Sequence, residues 1–238
     1  MPNLGEQSVM QNDIPKIGYF QKRKLLSFYK NFVGNADLAF VFGDQTGNLT
    51  QLLTLIGAKT ICIQPISEYF PILADRFTKN KNCILLKEDV GAFQTEFFYN
   101  GIYERHILPF SSNLSAEDNQ EYIKITTLDD LILNYGKPTF CYINGEGYEA
   151  EVLKGLNQPI QTIVLTFFSF TQEKTAAILR RLISLGQYEF NWKLLHESSL
   201  KSKTWLSPKA LHHSMFEFSD APFSGELFAR IKIAEDEI

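Results

Sequence analysis

Two glycines four residues apart mark where this chain could do chemistry. Gly43-Asp44-Gln45-Thr46-Gly47 follows a short apolar run and precedes a helical pattern. Glycine admits positive φ and lets a ligand approach the backbone, and the start of a helix offers unpaired N–H groups. Such a turn suits a polar cofactor. It does not match G-x-x-x-x-G-K-[ST], which excludes a P-loop, nor G-x-G-x-x-G, which disfavours a nicotinamide- or flavin-dependent oxidoreductase. Gln64 stands 21 residues after Gly43. An acidic residue at that distance usually meets ribose hydroxyls. Glutamine can hydrogen-bond a hydroxyl but brings no charge.

Other chemistries are disfavoured by the residues present. Cys62, Cys83 and Cys141 are odd in number, far apart and set in apolar runs. They read as buried free thiols in a reducing compartment, not as a disulfide framework or metal cage. There is no C-x-x-C zinc pattern, no G-x-S-x-G elbow and no kinase signature. His212 and His213 are adjacent rather than four apart, so no metal site is expected. His196, after a strand, is a lesser candidate base. With 23 Lys+Arg against 27 Asp+Glu, the net charge is −4, and a globally basic nucleic-acid binder is not favoured. No run reaches the roughly 18–20 apolar residues of a membrane span. The N-terminal stretch is polar, with no apolar signal core. These observations lead us to expect a cytoplasmic protein with no nucleic-acid partner. Nothing in the sequence sets an oligomeric state.

These residues need elements to position them. Tyr19 to Val33 reads as a helix whose apolar face holds Tyr19, Leu25, Leu26, Tyr29, Phe32 and Val33. A strand–helix rhythm begins at residue 38. Leu38–Phe42 is a strand buried on both faces, and Asn48–Ile56 is a helix closed by Gly57. Thr60–Ile63 is the second strand, Ser67 caps a helix to about Phe77, and Cys83–Leu86 is the third strand. Thr95–Tyr99 is strand-like, and 101–120 reads as an insertion or lid. Thr126 or Thr127 caps the helix Leu128–Tyr135. The remaining strands are Thr139–Ile143, Thr162–Phe168, Tyr188–Leu195 and Leu227–Ile233, the last alternating in a way that suits a sheet edge. Helices cover 149–153, Thr171–Leu185 and a stretch opened by Ser207-Pro208. The order implies an α/β fold: a mostly parallel seven-stranded sheet with helices on both faces, and ligand chemistry at the strands' carboxyl ends.

Three ordered segments carry a family resemblance: Ile125-Thr126-Thr127-Leu128-Asp129-Asp130-Leu131-Ile132, Tyr135-Gly136-Lys137-Pro138, and Ile143-Asn144-Gly145-Glu146-Gly147-Tyr148-Glu149 continuing to Gly155-Leu156. Together they closely resemble the FkbM-type methyltransferases. The resemblance extends through Gly43–Gly47, Gln64-Pro65, Val90-Gly91, Leu185-Gly186 and Trp205, over roughly residues 35–232. It implies the Rossmann-like class I methyltransferase fold in 35–238, with 1–34 as an N-terminal lead-in and docking helix. It also implies S-adenosylmethionine as cofactor, and methylation of oxygen on a small polar or glycan acceptor.

The departures from the family pattern cluster at strand ends. Where the family carries acids, this chain has Val41, Gln64, Asn144 and, less firmly aligned, Phe168. The resemblance assigns Gly43, Asp44, Gln45, Gly47, Gln64 and Asp89 to the cofactor. Asp44 would reach its ammonium group or cap the following helix, Gln64 its ribose and Asp89 its adenine. It assigns Asn144 and Glu146 to the meeting of acceptor and methyl group, with Glu146 as base or hydroxyl-orienting group. Glu149 and Tyr148 read as structural, Gly145 as loosening the loop that carries Glu146, and 100–122 as the source of acceptor contacts. The competing expectation is a binding or scaffold protein that kept the fold and lost catalysis. Reverting Val41, Gln64 and Asn144 to acids is expected to raise cofactor affinity if the site is merely altered.

Overall fold

The computed structural model describes residues 17–66, 68–99, 121–195, 197–219 and 221–232. Helix α1 spans Tyr19–Tyr29, followed by β1 (Leu38–Phe42), α2 (Asn48–Ile56), β2 (Lys59–Ile63), α3 (Phe70–Phe77) and β3 (Cys83–Leu86). Then come β4 (Asp89–Val90), β5 (Thr95–Tyr99), β6 (Glu121–Thr126), α4 (Leu128–Tyr135), β7 (Phe140–Ile143) and α5 (Glu149–Lys154). The chain continues through β8 (Thr162–Phe168), α6 (Gln172–Leu185), β9 (Tyr188–Leu194), α7 (Pro208–Phe216) and β10 (Ser224–Ile231). The main sheet has seven strands in the order β3-β2-β1-β7-β8-β10-β9. Every pairing is parallel except those of β10, which runs antiparallel to β8 and β9. A small sheet, β4-β6-β5, stands apart.

The apolar runs produce this sheet because both its faces are covered. Along β1, Phe40 and Phe42 enter the core beneath α4, α5 and α6, while Ala39 and Val41 enter the core beneath α1 and α2. Local signals set the helix ends. The Thr127 hydroxyl accepts from Asp130 N–H at 3.1 Å, and the Asp130 carboxylate accepts from Thr127 N–H at 3.2 Å, a reciprocal cap worth about 1 kcal/mol. Ser207 caps α7 through Ala210 N–H.

Several expectations are corrected. Helix α1 ends at Tyr29 rather than Val33, Tyr19 is 68 % exposed, and Phe28 takes its place in the core. Strand β10 is not an edge strand: it lies between β8 and β9. Its alternation is that of a strand buried on both faces, with Leu227 and Ala229 in one core and Phe228 in the other. Strand β6 was not anticipated. Cys62 and Cys141 are buried, whereas Cys83 is half-buried; all three are free thiols. Ser67, His196, Ile233 and residues 100–120, to which capping, base, strand and acceptor roles fell, lie outside the described residues.

Candidate functional site

The chain turns from β1 toward β2 on one side and returns to β7 on the other, so a crevice opens where the strand order reverses. Its walls are the turns after β1 and β7. Gly43 and Gly47 both hold positive φ, 77° and 69°. A Cβ on Gly43 would lie 2.1 Å from the Asn144 carbonyl oxygen, and one on Gly47 would strike Phe77 and Leu73. Glycine is therefore required here by the protein's own close approaches. Arg76, reaching across from α3, donates to Thr46 O, to Asn48 Oδ1 at 3.1 Å and to Gln51 Oε1 at 2.9 Å, and so clamps the turn.

Asp44 is buried, and its Oδ2 accepts from both the backbone N–H and the hydroxyl of Thr50, each at 2.8 Å. It caps α2. Burial raises its pKa, opposed by the Thr50 and Gly47 hydrogen bonds and by the Arg76 charge. Gln45 Nε2 donates to Glu146 Oε1 at 2.5 Å, linking the β1 and β7 turns. Asn144 Nδ2 donates to Gly43 O at 3.1 Å, while Asn144 Oδ1 lies 3.1 Å from the Thr166 hydroxyl oxygen. The structure thus brings Gly43, Gln45, Asn144 and Glu146 to one place.

Glu149 organises the β7 turn. Its Oε1 accepts from Gly145 N–H at 3.0 Å, Gly147 N–H at 3.2 Å and the Thr166 hydroxyl at 2.7 Å. Gly145 is buried in this arrangement rather than loosening it: a Cβ there would lie 3.0 Å from Glu149 N. The exposed Glu146 is held at φ 52°, a left-handed conformation that costs a non-glycine residue about 1 kcal/mol.

Gln64 and Asp89 are further back. Gln64 is fully buried; its Oε1 accepts from Ile66 N–H at 3.1 Å, and its Nε2 has no hydrogen-bond partner among the described residues. An unmet buried donor costs about 1–3 kcal/mol. Asp89 is buried in β4, and its Oδ1 accepts from Val90 N–H. Of the other positions that depart from the family pattern, Val41 is fully enclosed in the core beneath α1 and α2. An acid there would be buried among apolar groups, so reversion at Val41 is not a cofactor test. Among the described residues no group of three or more His, Cys, Asp or Glu side chains could hold a metal ion.

A second cluster escaped the sequence reading. Lys193, 0 % exposed, pairs with Glu226 Oε2 at 2.6 Å. Tyr29 OH donates to the same oxygen at 3.3 Å and Tyr142 OH to Oε1 at 3.5 Å. Burial, and then the Glu226 charge, pushes both phenols well above their ordinary pKa, so they remain donors. Glu226, Tyr29, Tyr142 and Asp44 line a cavity of about 550 Å³. The available signal was a charged residue, Glu226, on the same strand face as the core residue Phe228.

No protein-family model matches the sequence, and no curated protein matches it. Solved structures do. The chain superposes on precorrin-6y C5,15-methyltransferase from Geobacter metallireducens with a TM-score of 0.51 and 10 % identity, over 93 % of this chain and 92 % of that one. The C-terminal domain of precorrin-6Y C5,15-methyltransferase from Rhodobacter capsulatus gives 0.46 and 12 %, over 93 % and 94 %. An S-adenosylmethionine-dependent O-methyltransferase from Thermotoga maritima gives 0.45 and 10 %, over 93 % and 68 %. The fold of this chain is the Rossmann-like class I methyltransferase fold.

Proposed function

We propose that the chain is an S-adenosylmethionine-dependent methyltransferase acting on the oxygen of a small polar acceptor, such as a sugar or secondary-metabolite hydroxyl. The observation that carries this reading is Gln64 Nε2, just past the end of β2, which has no hydrogen-bond partner among the described residues. It is a buried donor at the point where a ribose hydroxyl would accept, beside the glycine turn at the strand-order switch. Gln64 is fully buried, so the contact requires the residues that cover it to move. Bound S-adenosylmethionine supplies an electrophilic methyl group on sulfur.

In this reading the chain's own residues bind and position. Gly43, Asp44, Gln45 and Gly47 shape the cofactor's seat, Gln64 holds the ribose and Asp89 faces the adenine. Asn144 orients the acceptor, and Glu146, once its hydrogen bond with Gln45 exchanges, accepts the acceptor's proton. Residues 35–238 form the catalytic domain, and α1 of the 1–34 segment docks on it. The free thiols fit a reducing, cytoplasmic setting, and no helix among the described residues is long and apolar enough to cross a membrane.

Calorimetric titration with S-adenosylmethionine and S-adenosylhomocysteine is the test. Micromolar binding, weakened about tenfold in Gln64→Leu, is expected. A folded chain that binds neither compound at millimolar concentration refutes the proposal. It would favour the second reading, a non-catalytic binding protein, for which the Gln45–Glu146 hydrogen bond across the crevice and the helix-capping Asp44 speak.

A further inference from the structure

We infer that the cavity between α1, α2 and the sheet is a binding pocket for a small amphipathic molecule whose hydroxyl or amine donates to Glu226, its apolar part lying against Leu25, Leu49 and Leu52. Three observations support it. The volume, about 550 Å³, falls within the roughly 300–1,000 Å³ of ligand pockets. Its lining is chemically mixed, with Leu25 of α1 and Leu49 and Leu52 of α2 beside Tyr29, Tyr142 and Glu226. Its polar side carries Glu226, one partner of a buried ion pair whose other partner, Lys193, is fully buried.

The distribution of contacts on Glu226 gives the ligand's polarity. Oε2 receives Lys193 at 2.6 Å and Tyr29 at 3.3 Å, whereas among the described residues Oε1 receives Tyr142 alone, at 3.5 Å. A carboxylate oxygen has room for further donors, and Oε1 is the under-used acceptor. The surrounding phenols are protonated donors, and Lys193 is a cation already committed to Oε2. A ligand that only accepts would therefore find Glu226 repulsive, whereas a donor completes it. A buried ion pair is weak evidence for stability, because desolvation offsets the attraction. What a ligand can use is Glu226 itself, which lines the cavity wall.

Asp44 of the turn after β1 and Asn48, the first residue of α2, both line this cavity. The pocket thus adjoins the proposed cofactor seat and would hold the methyl acceptor. That assignment rests on the methyltransferase reading; the binding itself does not.

The test uses the full chain and a panel of aryl alcohols and arylalkyl amines, each matched with the hydrocarbon lacking the donor, followed by ligand-observed NMR and calorimetry. Donor-bearing members are expected to bind at least about tenfold more tightly than their hydrocarbon partners. Leu25→Trp, which fills the cavity from the half-buried α1 side, should abolish both. Tyr142→Phe, which keeps the ring and leaves Oε1 without its donor, should widen the preference, and Glu226→Gln should reduce it. Should Glu226→Gln fail to fold, the matched pairs and Tyr142→Phe still decide. The inference is overturned if no panel member binds the folded chain, if binding survives Leu25→Trp, or if donors and hydrocarbons bind alike. S-adenosylmethionine titrated into the same samples separates the two proposals. Panel binding without cofactor binding keeps the pocket and refutes the enzyme reading; cofactor binding without panel binding does the reverse.

Discussion

Replacing Glu149 should collapse the turn that presents Glu146. One oxygen of this buried carboxylate accepts from Gly145 N–H, Gly147 N–H and the Thr166 hydroxyl. Glu149→Ala leaves the two N–H donors without their acceptor, while the Thr166 hydroxyl can turn to Asn144 Oδ1, 3.1 Å away. Each unmet buried donor costs about 1–3 kcal/mol. Gly147 is only half-buried and water can reach it, so the sum over the two is discounted to about 2–4 kcal/mol. For a domain of this size that lowers Tm by roughly 4–16 °C. Glu149→Gln keeps an acceptor oxygen in place and loses only the charge assistance, about 1–2 kcal/mol. Guanidinium unfolding of wild type, Glu149→Ala and Glu149→Gln measures both differences, and amide hydrogen exchange at Gly145 and Gly147 reports the turn directly. If Glu149→Ala lies within about 0.5 kcal/mol of wild type, the carboxylate does not hold the turn. If Glu149→Gln is as damaging as Glu149→Ala, packing rather than hydrogen bonding is responsible.

Three further outcomes are expected. Asp44→Ala should lose the α2 cap and about 1–2 kcal/mol. Asp44→Asn keeps an acceptor, and because burial raises the Asp44 pKa, the charged wild-type side chain is disfavoured in the fold above that pKa; unfolding at pH 4 and pH 7 should show Asn gaining on Asp as pH rises. Val41→Asp places a carboxylate in the fully enclosed core beneath α1 and α2 and should cost about 3–5 kcal/mol or prevent folding; a stable variant with improved cofactor binding would contradict the packing described. Burial pushes Cys83 and Cys141 up to about 12 and raises Cys62 too, so native thiols should resist alkylation at pH 8 and label fully in denaturant. With folded values above the ordinary 9.0, their contribution to stability is complete below pH 9 and is lost as pH rises from about 9 to 12.

The sequence by itself determined what neighbouring residues decide among themselves. The apolar run 38–42 made a doubly buried strand, Gly57 closed α2, and the Thr127/Asp130 spacing produced its reciprocal cap. The order of strands and helices carried the fold class, because alternation of the two admits few topologies. What only the tertiary structure decided is which face of an alternating strand meets solvent. Strands β9 and β10 alternate polar and apolar residues, and that pattern is the same whether the polar row is wet or covered. Helix α1 covers it, which turns Lys193 and Glu226 from surface charges into a buried pair. Position within the sheet was equally undetermined, since β10 lies between β8 and β9 through hydrogen bonds with strands distant in the chain. The same holds at the crevice. Asp44 could have reached a ligand or capped α2, and Thr50, brought beneath it by the turn, takes its carboxylate. Side-chain type limits what a residue can do; the partners that the fold brings within 3 Å select which of those things it does.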